Sequence, residues 1–298
     1  MQGVSLAGRP GERIVLMGPN GSGKTTLLRI LATELACSFG SLEIFGVPPG
    51  VNKLTVRRRM GFARDQPIHM ESLTGRENAE LFAELYGLKN RDAKSRLDSL
   101  FLSFGLSDVE NIPVRSYSHG MKKKLQLLES FAHDPELIIL DEPTLGLDPL
   151  GLEVFVDLLN QEQTRDRCVV VATNNPEVAM RVATSVVFLM DGAVVTRGSP
   201  EKLLEQLADE TKVEIRTSGN MQGDIDFEIE GMVPEILPGK VLVNMPANAG
   251  SLPVLMAGVL DAGLEISKIE ITRPDLSDVF LLLTGRALEE DVSGEEGS

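Results

Sequence analysis

The chain has 298 residues, of which 42% are hydrophobic and 24% charged, so it suits one large domain and a smaller one and is too apolar to be disordered. Its 29 basic and 44 acidic residues give a formal net charge of −15, which argues against nucleic acid as a partner, because proteins that follow a phosphate backbone present dense positive charge. No apolar run in the sequence approaches the roughly 20 residues of a membrane span. The first ten residues lack the features of a secretory signal, so the chain is predicted to be cytoplasmic.

The first predicted element is a strand at Arg13–Met17, which leads into a glycine-rich loop and a helix at Thr25–Leu35. Short β-rich runs then predict buried strands, and amphipathic runs predict helices between them. The strands are placed at Glu136–Leu140, Cys168–Thr173 and Ser185–Met190, and the helices at Thr74–Tyr86, Ala93–Phe104, Met121–Ala132, Gly151–Gln161, Pro176–Ala183 and Pro200–Ala208. Because the stretch Leu73–Ser118 contains no strong strand pattern, we predict an inserted helical subdomain at about residues 70–130.

The C-terminal third predicts a second, smaller α/β domain in which strands frame one helix. The strands are placed at Lys212–Thr217, Asp226–Glu230, Lys240–Asn244 and Leu264–Thr272, and the helix at Leu252–Ala262. These patterns divide the chain into residues 1–210, residues 211–286 and an acidic tail at 287–298 that is predicted to be disordered. Cys37 and Cys168 have no metal-type spacing and are predicted to be free, buried thiols.

A glycine-rich segment after the first predicted strand fits the pattern G-x-x-x-x-G-K-[ST] between Gly18 and Thr25. Glycines let consecutive backbone N–H groups curl round a phosphate, and the positive end of the following helix favours the anion. Lys24 is predicted to reach the outer phosphates, and the Thr25 hydroxyl is predicted to bind magnesium. The nucleotide-binding residues predicted here are Gly18, Pro19, Asn20, Gly21, Ser22, Gly23, Lys24, Thr25 and Thr26.

Two acidic residues follow the apolar strand predicted at Glu136–Leu140. Asp141 is placed to hold magnesium through water, and Glu142 is placed to polarise a water in line with the γ-phosphate. An isolated pair of this kind would equally suit two acids that cap a strand, but after such a glycine loop it predicts a hydrolase. The two segments do not separate one class of P-loop protein from another, because a small-molecule kinase would show both.

The segment from Ser116 to Leu125 narrows the choice. It reads Ser-Tyr-Ser-His-Gly-Met-Lys-Lys-Lys-Leu, with Ser118 predicted to cap a helix that begins near Met121. At this point the sequence resembles the ATP-binding subunits of ABC transporters, whose signature loop reads Leu-Ser-Gly-Gly-Gln or a close variant. The resemblance implies that Ser118 and Gly120 contact the γ-phosphate of ATP bound to the opposite subunit, so that two chains enclose two nucleotides. The three lysines are predicted to be a solvated face rather than a phosphate clamp.

Two further segments extend the resemblance, which covers Val4 to Arg286. Thr144–Pro149, which contains Asp148, resembles the family loop that crosses the dimer seam, and Pro274–Arg286 resembles the end of the accessory domain in exporters of the daunorubicin-resistance type. The resemblance implies an α/β fold with a P-loop NTPase core, an inserted helical subdomain and a small C-terminal α/β accessory domain. Residues 1–210 would then be the ABC-type nucleotide-binding domain and residues 211–286 the accessory domain.

The sequence departs from the family pattern at three places. The family's magnesium-binding glutamine corresponds to Asp65 by direct counting and to Gln66 after a shift of one residue, and we favour Gln66. The family's switch histidine is replaced by Asn174, which donates a hydrogen bond but carries no charge, so hydrolysis is expected to be slower unless Asn174 is simply a turn residue before Pro176. No aromatic residue that would stack on adenine precedes Phe39, which predicts weaker nucleotide binding or a truncated start.

The resemblance implies an ATP-binding and hydrolysing subunit that energises an ABC-type exporter by ATP-driven dimer closure, with ATP and Mg²⁺ as cofactors and Glu142 and Asn174 as catalytic residues. Its implied partners are an integral membrane permease and a second nucleotide-binding subunit, in a homodimer or a heterodimer, on the inner face of the cell membrane. One alternative is a degenerate regulatory subunit with weak or no hydrolysis that pairs with an active ABC subunit. Another is a soluble ABC protein of DNA repair or translation, which the acidic charge disfavours.

Overall fold

The computed structural model describes residues 3–48, 50–88, 90–162, 166–207, 210–218, 235–237, 239–246, 251–261 and 265–288. These residues belong to two compact units. One unit ends at Pro200 and takes in the chain again from Arg286, and the other runs from Glu201 to Gly285. Within the described ranges, no helix has both the length and the apolar character that crossing a membrane requires.

The first unit is built on a six-stranded sheet with the strand order β2-β3-β4-β1-β5-β6. The strands are β1 Arg13–Met17, β2 Met60–Ala63, β3 Leu137–Asp141, β4 Cys168–Ala172, β5 Ser185–Met190 and β6 Ala193–Gly198. The first five pair in parallel, and β6 pairs antiparallel to β5. Strands β1 and β3 are buried at every residue, as expected for apolar parallel strands that are covered on both faces. Since parallel strands end at the same edge, the loops after β1, β3 and β4 are neighbours.

Helices connect these strands in the first unit. They are α1 Lys24–Leu31, α2 Lys53–Arg58, α3 Gly75–Leu85, α4 Asn90–Ser103, α5 His119–Ala132, α6 Pro149–Glu162 and α7 Pro176–Val182. The longer helices α3, α4 and α5 pack on one another, and α5 also packs on β2. Helix α3 begins at a capping box, because Thr74 Oγ1 accepts the Glu77 N–H at 3.1 Å while the Glu77 carboxylate accepts the Thr74 N–H at 2.8 Å.

The second unit has an antiparallel four-stranded sheet with the order β10-β7-β9-β8. Its elements are α8 Pro200–Leu204, β7 Glu210–Ser218, β8 Glu235–Leu237, β9 Lys240–Pro246, α9 Ser251–Asp261, β10 Glu265–Thr272 and α10 Leu276–Thr284, with α8 beginning at the last residue of the first unit. Alternating residues of β7 and β9, such as Val213 and Val241, pack with Leu255 and Val259 of α9 in a separate apolar core. The predicted strand at Asp226–Glu230 and the acidic tail from Glu289 onward lie outside the described residues.

Several elements differ from the sequence prediction. Strand β2 was not predicted, because it has only four residues and one of them is Gly61. A side chain at that glycine would place its Cβ 1.9 Å from the main-chain oxygen of Ser130, so the close approach of β2 to α5 requires glycine. The predicted helix Thr25–Leu35 ends earlier, at Leu31, and Thr33 beyond it has a φ of 60°.

The prediction that both cysteine thiols are buried is wrong for Cys37. Cys37 is exposed, whereas Cys168 at the start of β4 is partly buried. Burial raises the pKa of the Cys168 thiol to about 11, and a thiol reacts mainly as its thiolate. Of the two, Cys37 is therefore the thiol that an alkylating label will reach first.

His133 at the end of α5 provides a test of how burial shifts a titration. Its ring is buried and stacked on Tyr86 with 4.1 Å between ring centroids, and Nε2 lies 2.9 Å from the Met60 carbonyl oxygen. Burial lowers the pKa of His133 from 6.5 to about 4. Because the unfolded chain then binds a proton that the folded chain does not, His133 contributes stability above about pH 6.5 and loses that contribution as the pH falls toward 4.

We expect His133→Gln, whose amide still donates to the Met60 carbonyl, to remove this pH dependence. Between pH 7 and pH 5 the unfolding free energy of the native chain should fall by about 2 kcal/mol more than that of the variant. Urea unfolding at the two pH values measures the difference. Equal falls in the two proteins would show that the His133 pKa is close to its ordinary value in the folded state.

Candidate functional site

The loop between β1 and α1, Gly18–Gly23, is called the glycine loop below. Gly21 and Gly23 have φ angles of 80° and 104°, in the region that favours glycine. At Gly18 a Cβ would lie 2.0 Å from the main-chain oxygen of Leu189 in β5, so no side chain fits there. The glycines that the motif predicts are thus required by the backbone conformation and by the neighbouring strand.

Lys24 folds back over the glycine loop. Its side chain is buried, and Nζ donates hydrogen bonds to the carbonyl oxygens of Gly18 and, at 3.4 Å, Pro19. Burial lowers the pKa of Lys24, while the charges of Glu142 and Asp141 act in the opposite direction. The nearby Ser22 Oγ is buried and has no hydrogen-bond partner among the described residues. A positive group, an unpaired hydroxyl and a curled backbone fit a phosphate chain.

Asp141 ends β3 beside the glycine loop. Its carboxyl is buried and accepts a hydrogen bond from the Thr25 hydroxyl. Burial raises the pKa of Asp141, and the negative charge of Asp65 adds to the increase. In the part of the chain that the structure describes, Oδ1 of Asp141 has no hydrogen-bond partner. A buried, unpaired carboxylate oxygen next to a hydroxyl is a donor set of the kind that Mg²⁺ prefers.

Glu142 follows in a left-handed conformation with a φ of 42°, which is uncommon for a residue other than glycine. Its main-chain N–H donates to the Ala172 carbonyl at 2.9 Å, and its carboxylate accepts a hydrogen bond from the Thr173 hydroxyl. Burial raises the pKa of Glu142, and the charge of Lys24 partly offsets that effect. The backbone strain and the shifted pKa together mark Glu142 as a candidate catalytic base.

Asn174 lies in the loop after β4 and contacts the glycine loop through a hydrogen bond. Its Oδ1 accepts the Gly18 N–H at 3.1 Å. The next residue, Asn175, is the one that caps α7, because its Oδ1 accepts the Val178 N–H at 3.1 Å. The turn role thus belongs to Asn175, and Asn174 contacts the glycine loop.

Asp65 and Gln66 lie in the loop after β2, Arg64–Met70, which is called the β2 loop below. Both side chains are exposed. The main-chain oxygen of Gln66 accepts a hydrogen bond from Gln126 Nε2 at 3.0 Å. The negative charge of Asp65 acts on Asp141 and raises its pKa. Direct counting along the sequence gives Asp65, whereas the prediction favoured Gln66 after a shift of one residue.

Ser118 and Gly120 form a second group at the start of α5. Ser118 Oγ accepts the Met121 N–H at 3.2 Å, so the predicted helix cap is confirmed. A Cβ at Gly120 would lie 3.0 Å from the carbonyl oxygen of Gly146, so the Thr144–Asp148 loop packs against the start of α5. Asp148 accepts the Gly151 N–H at 3.0 Å and pairs with Lys124 Nζ at 2.9 Å.

The prediction that Lys122–Lys124 is a solvated face is wrong for Lys123. The side chain of Lys123 is fully buried, and Nζ donates to the carbonyl oxygens of Arg64 at 2.9 Å and Asp65 at 2.8 Å. Burial lowers the pKa of Lys123 to about 8. Helical periodicity held a usable signal, because Lys123 stands four residues before the buried Leu127 and shares its face.

A pocket of about 270 Å³ opens beside the β2 loop in the first unit. Its lining combines an apolar group with a polar group. The apolar group is Phe62, Ile68, Phe82 and Tyr86, and the polar group is Glu34, Arg64, Gln126, Glu129, Ser130 and His133. The sequence does not predict this pocket, because its walls come from segments far apart in the chain.

Comparison with known proteins decides the family. The family model described as ABC transporter matches residues 1–145. The daunorubicin resistance ATP-binding protein DrrA3 of Streptomyces coeruleorubidus is 33% identical over 291 residues, which cover 96% of this chain and 91% of that protein. The chain belongs to the ABC transporter family.

Solved structures of ABC cassettes agree with this assignment. A dimeric bacterial ABC transporter cassette superposes with a TM-score of 0.61 at 27% identity, covering 66% of this chain and 88% of that one. A post-hydrolysis structure bound to ADP and phosphate has a TM-score of 0.59 at 26% identity with the same coverage. The predicted fold class, a P-loop NTPase fold of the ABC type, is confirmed, and the chain is an ABC ATP-binding subunit.

Within this ABC subunit the structure brings most of the predicted site residues into one group. Lys24, Thr25, Asp141, Glu142 and Asn174 are linked to the glycine loop or to each other by the contacts given above. Asn20 in the glycine loop and Thr25 and Thr26 at the start of α1 are exposed. The roles of these residues, of Ser118, Gly120 and Asp148, and of Asp65 and Gln66 stay predictions, as does the assignment of functions to the domains.

Proposed function

We propose that this ABC subunit binds and hydrolyses Mg-ATP and thereby energises an exporter. The observation that carries the proposal is the convergence of Asp141, Glu142 and Lys24 at one end of the sheet. The charges of both acids raise the pKa of Lys24 and so oppose the effect of its burial. The Asp141 carboxylate accepts a hydrogen bond from the Thr25 hydroxyl, and the Glu142 carboxylate accepts one from the Thr173 hydroxyl. A phosphate cradle, a magnesium donor set and a base within one electrostatic group are what phosphoryl transfer to water requires.

In this proposal the glycine loop binds the phosphates through its backbone N–H groups, and Lys24 neutralises their charge. Thr25 and Asp141 hold Mg²⁺, together with Asp65 or Gln66 from the β2 loop. When bound, Mg²⁺ neutralises charge on the phosphate oxygens and fixes their orientation. The buried, unpaired oxygens of Ser22 and Asp141 are the groups that this arrangement would satisfy.

Glu142 is proposed to orient and deprotonate the attacking water. Its raised pKa brings the carboxylate closer to the operating pH, which improves a general base. The Thr173 hydrogen bond fixes the carboxylate, and Asn174 is placed by its bond to Gly18 N–H to donate from its amide to the transferred phosphate. An amide can donate a hydrogen bond but does not take up or release a proton near neutral pH. Asn174 therefore positions the phosphate and does not relay a proton.

Asn174→His is expected to raise kcat by about tenfold, because imidazole, unlike the amide, can take up and release a proton beside the phosphate. A neutral ring nitrogen still accepts the Gly18 N–H. Steady-state phosphate release under saturating Mg-ATP measures the change. Asn174→Ala, which loses both the acceptor and the donor, is the control and should fall below the native rate. An unchanged rate in Asn174→His would show that this position does not face the γ-phosphate.

Closure with a second nucleotide-binding subunit is the proposed source of work. Ser118 and Gly120 lie at the N-terminus of α5, a helix of 14 residues whose dipole favours an anion. In the closed dimer they would contact the partner's γ-phosphate, with the Thr144–Asp148 loop at the seam. The dimeric cassette among the structural relatives supports this arrangement.

The permease is proposed to contact the pocket beside the β2 loop, which would place the subunit on the inner face of the membrane. Exposed Ile68 and the aromatic residues Phe62 and Phe82 offer an apolar surface, and Glu34 and Arg64 give it a charged rim. The β2 loop carries both this surface and the proposed magnesium residue, so permease contact and the nucleotide site share one segment. A movement of the β2 loop caused by the permease can thereby change the position of the proposed magnesium residue, and the reverse.

The experiment that tests the proposal is phosphate release from Mg-ATP by the isolated chain. Turnover that saturates with ATP and depends on Mg²⁺ supports the hydrolytic subunit. Tight nucleotide binding with turnover no faster than buffer would instead favour the regulatory subunit, in which Asn174 replaces the switch histidine. Measuring binding and turnover on the same preparation separates the two functions.

A further inference from the structure

Helix α5 carries a buried polar stripe that holds the β2 loop. Its members are spaced three residues apart, and each contacts a different part of the loop. Lys123 Nζ donates to the Arg64 and Asp65 carbonyls at 2.9 and 2.8 Å, Gln126 Nε2 donates to the Gln66 carbonyl at 3.0 Å, and Glu129 Oε1 lies 3.3 Å from His69 Nδ1. The loop is therefore fixed through its main chain rather than by packing alone.

Lys123 is the unusual member of this stripe. Its side chain has no exposed surface, although an ammonium group is costly to bury. An apolar residue of the same size would pack there as its neighbours Leu125 and Leu127 do, and replacing buried charges by apolar residues is often neutral or stabilising. Its ammonium donates hydrogen bonds to two consecutive main-chain carbonyls. The negative charges of Asp65, Asp141 and Glu142 stabilise the protonated form. Packing alone does not account for a lysine at this position.

The same helix is capped by Ser118, five residues before Lys123. A rigid α-helix moves as one body, so a displacement of its N-terminus is carried to the Lys123 side chain. Lys123 thereby links the group proposed to meet the partner's nucleotide with the loop proposed to meet the chain's own magnesium. The hydrogen bonds that the structure gives the Lys123 side chain go to the β2 loop and not to the glycine loop.

We propose that Lys123 is a positioning residue for ATP hydrolysis: its ammonium fixes the Arg64 and Asp65 carbonyls and so couples the β2 loop to α5. This inference rests on the proposed function and adds a residue to it. Lys122, which forms an ion pair with Glu71 at 2.7 Å on the surface, is the matched control on the same helix.

Lys123→Met is expected to lower kcat at least tenfold while the KM for ATP changes less than threefold, because the nucleotide-binding loop keeps its contacts. Gln66→Ala and Asp65→Asn are then combined with Lys123→Met. If Lys123 acts through the β2 loop, the double variants should be little slower than the slower single variant. The proposal would be overturned if Lys123→Met kept the native kcat. It would also be overturned if, in both double variants, the fold-losses in kcat of the two single variants multiplied. Lys122→Met should keep the native kcat.

A second measurement does not depend on turnover. A nitroxide is placed on Ile68→Cys in a Cys37→Ser background, in which the remaining Cys168 is poorly reactive. Lys123→Met should increase the mobility of the label, Lys122→Met should leave it unchanged, and Lys123→Gln, which keeps donors for one carbonyl, should lie between. Equal label mobility in all of these proteins would overturn the proposal. Absence of turnover in the native chain would count against the proposed hydrolysis, and the label would still decide the role of Lys123.

Discussion

Glu142→Gln is expected to lower kcat for ATP hydrolysis by at least about 100-fold, which is the contribution of a well-placed general base. The amide oxygen can still accept the Thr173 hydroxyl, so the local structure is kept. The variant loses only the ability to take a proton from water. Nucleotide affinity should stay within about threefold of the native value, because Glu142 does not contribute to the phosphate cradle.

Single-turnover phosphate release and equilibrium nucleotide binding measure the two quantities separately. Glu136→Gln is the matched control, because Glu136 stands immediately before β3 and pairs with Arg59 on the surface. The same chemical change at that position should leave kcat within about twofold of native. A native rate in Glu142→Gln, or an equal loss in Glu136→Gln, would contradict the assignment of the base.

Lys24→Met is expected to raise the Kd for Mg-ATP by about 100-fold, which corresponds to about 2.7 kcal/mol. That value lies within the range for a charge-assisted hydrogen bond that is removed from a buried site. The substitution also deprives the Gly18 and Pro19 carbonyls of their donor, so the glycine loop itself should become less ordered. Both effects weaken phosphate binding.

Equilibrium binding of a fluorescent ATP analogue measures this loss. Arg29→Met on the same helix is the control, because Arg29 is an exposed partner of Glu34 and lies away from the glycine loop. Its Kd should stay near the native value. If Lys24→Met binds Mg-ATP as tightly as the native chain, the glycine loop is not the nucleotide-binding site.

The parts of the site that could be predicted from sequence are those whose residues lie close together in one short, continuous segment. The glycine loop is one such segment, since Gly18 must avoid Leu189 and Gly23 must adopt a positive φ. Asp141 and Glu142 follow an apolar strand, and a parallel strand ends at the same edge as its neighbours. Local rules of this kind also predicted Ser118 as a helix cap.

The remainder depends on contacts between distant segments. Burial of Lys123 follows from the approach of α5 to the β2 loop, about 60 residues earlier in the chain. Strand β2 was missed for a related reason, because Gly61 is required by Ser130 of α5 and weakens the strand pattern in sequence. The bond between Asn174 and Gly18 likewise joins residues that only the strand order β4-β1 makes neighbours.

Mg-ATP-driven association of the Glu142→Gln variant tests the central claim most directly, since hydrolysis is blocked and the closed state can accumulate. Sedimentation velocity is measured without nucleotide, with ATP and EDTA, and with Mg-ATP, and Lys24→Met in the same background serves as the control. We predict a monomer in the first two conditions and a dimer with Mg-ATP that Lys24→Met abolishes. A chain that binds Mg-ATP yet stays monomeric, alone and mixed with a second ABC subunit, would contradict the account.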